Sequence, residues 1–268
     1  KRRMCIRDRK RYKTTLNLAA VAASTLAITG ISANAATVWN VNIGSPDLAG
    51  YQGAATENAA TGSTWNAVTS GTVTTLNDYT GSNAAGVTLE IAPTAGSAID
   101  FRTQDITGDA IFDTFMMDDN GGLPDDDVND DPFIVTFGNL NSGSTYDLVV
   151  YSDWYHYNIH GMPVTQTAGT GLTGTFYINS ERLGHSTGIV GALLEDTDSA
   201  ASNTPRTHAS NYARFNGLSS DGVNTLAFSM AGSTAPINGF QLIETVPEPS
   251  TTALLGLGGL ALILRRRK

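Results

Sequence analysis

The sequence predicts an all-β chain, a single β-sandwich of jelly-roll type flanked by two basic ends. Three observations predict it. Thr, Ser, Asn, Gly and Ala dominate the middle of the chain, apolar residues there come in short alternating runs, and Gly, Asn, Asp and Pro separate the runs. Alternation with period two places successive side chains on opposite faces of a sheet, and the separating residues are those that end strands in turns. No amphipathic helix of ordinary length interrupts the pattern, although 111–117 reads as a short one.

In chain order the expected strands are 38–43, 71–76, 87–92, 99–102, 133–137, 146–151, 174–178, 212–215, 225–230 and 238–244. In 225–230 the alternation is complete: Leu226, Phe228 and Met230 point to one side, Thr225, Ala227 and Ser229 to the other. Such segments are half buried, with one face in a core and one in solvent. Ten strands over about 210 residues fit one sandwich, and a domain of that size buries most of its unfolded surface without cross-links. Between two of these strands, Leu140 and Tyr146 have the spacing of a tyrosine corner, in which a Tyr hydroxyl bonds backbone a few residues upstream. Ser142 stands where many such corners have proline.

Charge divides the chain more sharply than composition. The formal net charge is −9, but eight of the sixteen bases fall in 1–13 and four in 265–268. Residues 36–246 carry 23 acids, the bases Arg102, Arg182, Arg206 and Arg214, and no lysine, a formal charge near −19. Such a surface repels phosphate, which excludes nucleic acid as a partner of the middle.

The N-terminal segment, a basic run to Lys13, an uncharged stretch over 16–31 and then Ala33-Asn34-Ala35, reads as a secretory signal peptide over 1–35. Cleavage is expected between Ala35 and Ala36, with the segment ahead of it helical. Cys5, the one cysteine, falls in the removed segment, so the exported body owes nothing to disulfides. The sandwich domain then occupies 36–245.

The C-terminal segment, 246–268, begins Val246-Pro247-Glu248-Pro249, continues through an apolar, Gly-rich run and ends Arg265-Arg266-Arg267-Lys268. Its 16 uncharged residues, 249–264, make a short hydrophobic helix about 24 Å long against a hydrocarbon core of about 30 Å. That length is marginal for a permanent anchor. The terminal bases keep the tail cytoplasmic while the body is exported. Two prolines around Glu248 stop the helix and hold the chain extended at the membrane surface.

These residues together resemble the PEP-CTERM sorting signal of Gram-negative bacteria. The resemblance covers 246–268 and implies that Pro247, Glu248 and Pro249 are the recognition motif and Arg265, Arg266 and Arg267 the stop-transfer cluster. It further implies that the export machinery and exosortase, a transpeptidase-like enzyme, are partners: a transient inner-membrane anchor is cut near the motif and the protein passes to the cell surface or matrix. The body is similar, more loosely, to uncharacterised exported proteins of verrucomicrobial and planctomycetal bacteria that share this tail. The matching pieces are Thr64-Trp65-Asn66, 76–81 leading into 87–89, 140–151 and 237–244. That similarity implies a galactose-binding-like or lectin-like sandwich and carries no activity.

Two segments of the body could carry chemistry. Residues 118–131 hold seven carboxylates in fourteen positions, and calcium takes six to eight hard oxygen ligands. Asp125, Asp127 and Asn129 occupy the first three ligand positions of an EF-hand loop, but Asp130 replaces the sixth-position Gly and Thr136 the twelfth-position Glu, so the segment is no EF-hand. A looser calcium site would use Asp125, Asp127, Asn129 and Asp131; the alternative is a solvated acidic loop. The second segment, 151–160, holds Trp154, Tyr155 and Tyr157 among Asp153, His156 and Asn158. Aromatic faces stack on sugar rings while polar neighbours bond hydroxyls; the alternative is that these rings cover the edge of the core.

No catalytic motif emerges. His156 and His160 are four apart, but in an extended context and without the glutamate of a His-Glu-x-x-His zinc site. Gly184-His185-Ser186-Thr187-Gly188 has the Gly-x-Ser-x-Gly spacing, but no expected strand runs directly into it and no expected helix follows, and a nucleophile elbow needs that strand–turn–helix context. The reading is therefore a non-enzymatic exported surface or matrix protein held among extracellular polysaccharide. Its rivals are a carbohydrate-binding module, with calcium or without, and an exported hydrolase.

Overall fold

The computed structural model describes residues 36–44, 48, 53, 63–68, 73–94, 99–103, 110–118, 132–152, 162–178, 193, 195–197, 210–230 and 237–245. Among them run thirteen strands: β1 Thr37–Ile43, β2 Trp65–Val68, β3 Thr74–Thr75, β4 Thr88–Pro93, β5 Ile99–Thr103, β6 Thr114–Asp118, β7 Phe133–Gly138, β8 Thr145–Tyr151, β9 Met162–Ala168, β10 Thr175–Ile178, β11 Tyr212–Ser219, β12 Leu226–Met230 and β13 Gly239–Thr245. Residues Ala36–Thr245 form one compact unit.

All ten alternating runs contain a strand, and β2, β6 and β9 are additional to them. The short helix read at 111–117 is corrected: a single 3-10 turn, Ala110–Phe112, leads directly into β6. There Phe115 and Met116 are both buried, and an apolar run covered on both faces has lost the alternation that identifies a strand. Pro163 near the start of β9 hides that strand for a different reason, since it lacks an N–H for the ladder.

The strands build two main sheets. One has the order β11-β8-β13-β1-β2, the other β10-β9-β12-β7-β4-β3, and β5 pairs with β6 separately. Between the main sheets lies the larger core, with Trp39, Val41, Leu148, Val150 and Leu242 from the five-stranded sheet meeting Leu89, Val135, Phe228 and Met230 from the six-stranded one. Phe137 and Phe240 meet edge to face at 6.0 Å across that interface. The five-stranded sheet is covered on its other face too: Val38, Val149, Tyr151 and Ile243 pack under Leu48, Ile111 and Phe112. Double burial explains why β8 and β13 are almost continuously apolar. Each such side chain stabilises the fold by about 1.5–3 kcal/mol on burial, which lets a cysteine-free body stand without cross-links.

Tyr146 forms the expected corner where the chain crosses from the six-stranded to the five-stranded sheet. Its hydroxyl accepts a bond from the Asn141 N–H at 2.7 Å and donates to the Asn141 carbonyl at 3.2 Å. The Asn141 side chain accepts from the Gly143 N–H at 3.0 Å, so an Asn turn shapes the loop where proline is missing. Asn139 holds a left-handed φ of 57° at the start of the same connection, a conformation Asn tolerates better than other side chains.

Register gives the sandwich two unlike poles. At one, Tyr151, Gly239 and Asn42 stand side by side in the five-stranded sheet, and Val164, Met230, Phe133 and Pro93 in the six-stranded one. The long connections 119–131, 153–161 and 179–192 start or end there. At the other pole the turns are short: 139–144 joins β7 to β8 and 220–225 joins β11 to β12. In that second turn the Asp221 carboxylate accepts from the N–H groups of Val223 and Thr225 at 3.0 and 2.9 Å.

Candidate functional site

Trp154, Tyr155 and Tyr157, the candidate sugar platform, lie outside the described residues, as do Asp125, Asp127, Asn129 and Asp131, the candidate calcium ligands. So do Pro247, Glu248, Pro249, the cluster Arg265, Arg266, Arg267, and Ala35. What the structure places are the strands that bracket them. The aromatic segment leaves β8 after Ser152 and enters β9 at Met162; the acidic segment leaves β6 and enters β7 at Phe133. Both segments therefore attach to the sandwich at its long-loop pole. Thr136, at the twelfth position of the EF-like count, is a strand residue paired with Glu90 and Ala227, which removes it from any loop.

At the end of β8, where the aromatic segment begins in sequence, the structure shows a buried layer that the sequence did not announce. Tyr151, the first ring of the aromatic run, is fully buried and touches three others: Tyr212 at 6.1 Å, Phe112 at 6.3 Å and Trp65 at 6.5 Å between ring centroids. It belongs to the core and not to a ligand platform. Its hydroxyl donates to Gln241 Oε1, Gln241 Nε2 donates to Asn40 Oδ1 at 2.8 Å, and Asn40 Nδ2 donates to the Thr64 carbonyl at 2.9 Å. This chain crosses β8, β13 and β1 and reaches the start of β2. Gly53 closes it from above: a Cβ there would stand 2.5 Å from the Tyr151 hydroxyl and 2.6 Å from Gln241 Oε1, and the residue has φ +66°. Only glycine meets both conditions without strain.

Asn66 makes a second buried link. Its amide donates to the carbonyls of Asn40 and Asn77, each at 2.8 Å, and its Oδ1 accepts from the Asn77 N–H at 2.8 Å. Asn238 extends the pattern, donating to the Thr114 carbonyl at 3.0 Å. The signal for this network was present as Asn and Gln within otherwise apolar strands. It was unreadable because alternation assigns such residues to solvent, and the residues that cover them come from distant parts of the chain.

Among the charged residues, Arg214 pairs with Asp147 at 2.7 Å, and the second oxygen of Asp147 accepts from the Gly217 N–H at 2.9 Å. A register shift between Phe215 and Leu218 brings Gly217 to that position. Burial raises the Tyr212 phenol above its ordinary value, and the nearby Glu195 carboxylate raises it further. Among the described residues no group of three or more His, Cys, Asp or Glu side chains is assembled to hold a metal. No helix among them is long and apolar enough to cross a membrane; the expected hydrophobic helix of the tail lies outside them.

The tail is where a known functional element is matched. Residues 245–268 match the PEP-CTERM protein-sorting motif. The motif indicates an exported protein, sorted by exosortase and held at a membrane before release. It begins at Thr245, the last residue of β13. No curated protein matches the chain. Among solved structures, the enzymatically active domain of the bacteriophage CBA120 tailspike protein 4 aligns over 59% of this chain and 19% of that one, at 11% identity and a TM-score of 0.29.

Proposed function

We propose that the protein is a non-enzymatic component of the cell surface or extracellular matrix, a β-sandwich that exosortase detaches from a transient inner-membrane anchor and leaves among extracellular polysaccharide. The observation that supports this most directly is the sorting motif at 245–268, directly behind the last strand. A cysteine-free body near −19 suits a protein that works outside the cell as a soluble, hydrated domain. Replacing Pro247, Glu248 and Pro249 together by alanine tests the reading. Full-length protein should accumulate in the inner membrane; a product of normal size outside the cell would overturn it.

A second reading, a carbohydrate-binding module assisted by calcium, is supported by the placement of its two candidate segments. Trp154, Tyr155 and Tyr157 belong to one connection and Asp125, Asp127, Asn129 and Asp131 to another, and both connections attach at the same pole. Polysaccharide pull-down of residues 36–246, with calcium and with chelator, tests it. Retention that is lost in the Trp154→Ala, Tyr155→Ala double variant supports the module. Equal retention of both proteins removes it.

A further inference from the structure

The end of β13 is tied into the sandwich by side chains as well as by its ladder. Thr245 Oγ1 donates to the Thr145 carbonyl at 2.9 Å, and the two threonine hydroxyls lie 2.6 Å apart. One residue earlier, Ser144 Oγ donates to the Glu244 carboxylate, which also accepts from Asn141 Nδ2 at 3.5 Å. Backbone pairing continues to the last residue, with Thr245 opposite Thr145 and Glu244 opposite both Tyr146 and Thr37. β13 is an interior strand, flanked by β8 and β1, and Phe240 and Leu242 are buried in the main core.

Past this clasp the chain offers almost no slack. Val246 alone separates Thr245 from Pro247, so the motif starts within two Cα steps, at most about 7 Å, of the fixed end of the strand. A peptide-cleaving enzyme binds several residues of its substrate in extended form, and residues held in a sheet ladder are not free for that. Strand ends open at the lowest free energy in a fold, and side-chain bonds across the end raise it.

We propose that the clasp of Ser144 and Thr145 on Glu244 and Thr245 restrains sorting: the folded body limits access to the motif, and processing proceeds through opening of the last pairs of β13 or before they form. The inference rests on the sorting reading. In the step concerned, a peptide bond near the motif breaks. The body keeps the acyl side, which passes to water or to an acceptor amine, and the tail leaves with a new amino group.

The test is pulse-chase conversion of full-length precursor to mature protein in a Gram-negative host that carries exosortase. One variant inserts Gly-Ser-Gly-Ser-Gly-Ser between Thr245 and Val246, leaving the sandwich intact; a second combines Ser144→Ala with Thr145→Val. Both should convert faster, the Ser144→Ala, Thr145→Val variant by at least about fivefold, the change in open population that loss of even one ordinary hydrogen bond produces. Wild-type or slower rates in both variants overturn the restraint. Faster conversion with the linker alone assigns the restraint to short reach and overturns the role of the clasp. Alanine at Pro247, Glu248 and Pro249 must stop conversion in every background; if it does not, the sorting reading itself fails.

Discussion

Thr37 and Glu244 face each other across β1 and β13, so the first and last strands of the body are neighbours in the middle of one sheet. This pairing spans about 200 residues of chain, and the sheet cannot close until the final strand is available. Each of its residues is therefore held by contacts on two sides. Leu242→Asp would place a carboxylate where Leu242 is fully buried between the sheets. It should abolish cooperative thermal unfolding of residues 36–246, because a buried unpaired charge costs more than a domain's whole margin of stability. A sharp melting transition in that variant would show that β13 is dispensable.

The tyrosine corner makes a milder prediction. Tyr146→Phe keeps the ring in the core and deletes a hydroxyl that serves both the N–H and the carbonyl of Asn141. Urea denaturation should show a loss of about 1–2 kcal/mol with an unchanged slope. An unchanged midpoint would mean that water replaces the hydroxyl at no cost.

Gly53 and Tyr151 give a steric counterpart. A methyl group at Gly53 meets the Tyr151 hydroxyl and Gln241 Oε1, and φ +66° adds backbone strain of about 1–2 kcal/mol for any residue with a Cβ. Gly53→Ala should lower the melting temperature by several degrees, and the Gly53→Ala, Tyr151→Phe double variant should lose less than the sum of the singles. Additive losses would separate Gly53 from the Tyr151–Gln241–Asn40 chain.

How far the sequence revealed all this depends on where each residue's cover comes from. Where cover lies in the neighbouring sheet, as for Leu226, Phe228 and Met230, alternation alone identified strand and inward face. Where a second layer is supplied by Leu48, Ile111 and Phe112, alternation misled, because Asn40 and Gln241 look like solvent-facing residues and are fully buried. Tyr151 shows the same effect at the candidate site. In sequence it opens an aromatic run; in the fold its ring is packed under Phe112 and Trp65, and the run that could face outward starts after it. The sorting tail was legible because recognition there depends on a short linear pattern and needs no tertiary partner.

Alkali should destabilise the body through two phenols. Burial raises Tyr146 above its ordinary value of 10.0, its bond to Asn141 partly offsets this, and Glu244 adds to the rise; Tyr212 is raised by burial and by Glu195. A phenol with a raised native value holds its proton more tightly folded than unfolded, so its contribution is intact below pH 10 and declines as pH climbs beyond it. Urea midpoints should fall above pH 10, and the fall should be shallower in Tyr146→Phe than in the parent. Parallel pH profiles for the two proteins would exclude Tyr146 as a source.

Calcium is the ion to test on a body near −19 with seven acids within 118–131. Clustered carboxylates repel one another, and a cation bound through Asp125, Asp127, Asn129 and Asp131 would relieve that repulsion only where the chain brings them together. Selective binding to the folded state stabilises it by about 2.7 kcal/mol at a free concentration one hundred times the dissociation constant. For a body of this size that is a rise in melting temperature of about 5 °C or more. Magnesium should do less, since it keeps its waters and accepts fewer carboxylates. The Asp125→Asn, Asp127→Asn double variant should lose the calcium response while melting at or above the parent temperature without metal, because two repelling charges are gone. A response to calcium that survives in the double variant would place the cation elsewhere on the acidic surface, and no response at millimolar calcium would leave 118–131 as a solvated acidic loop.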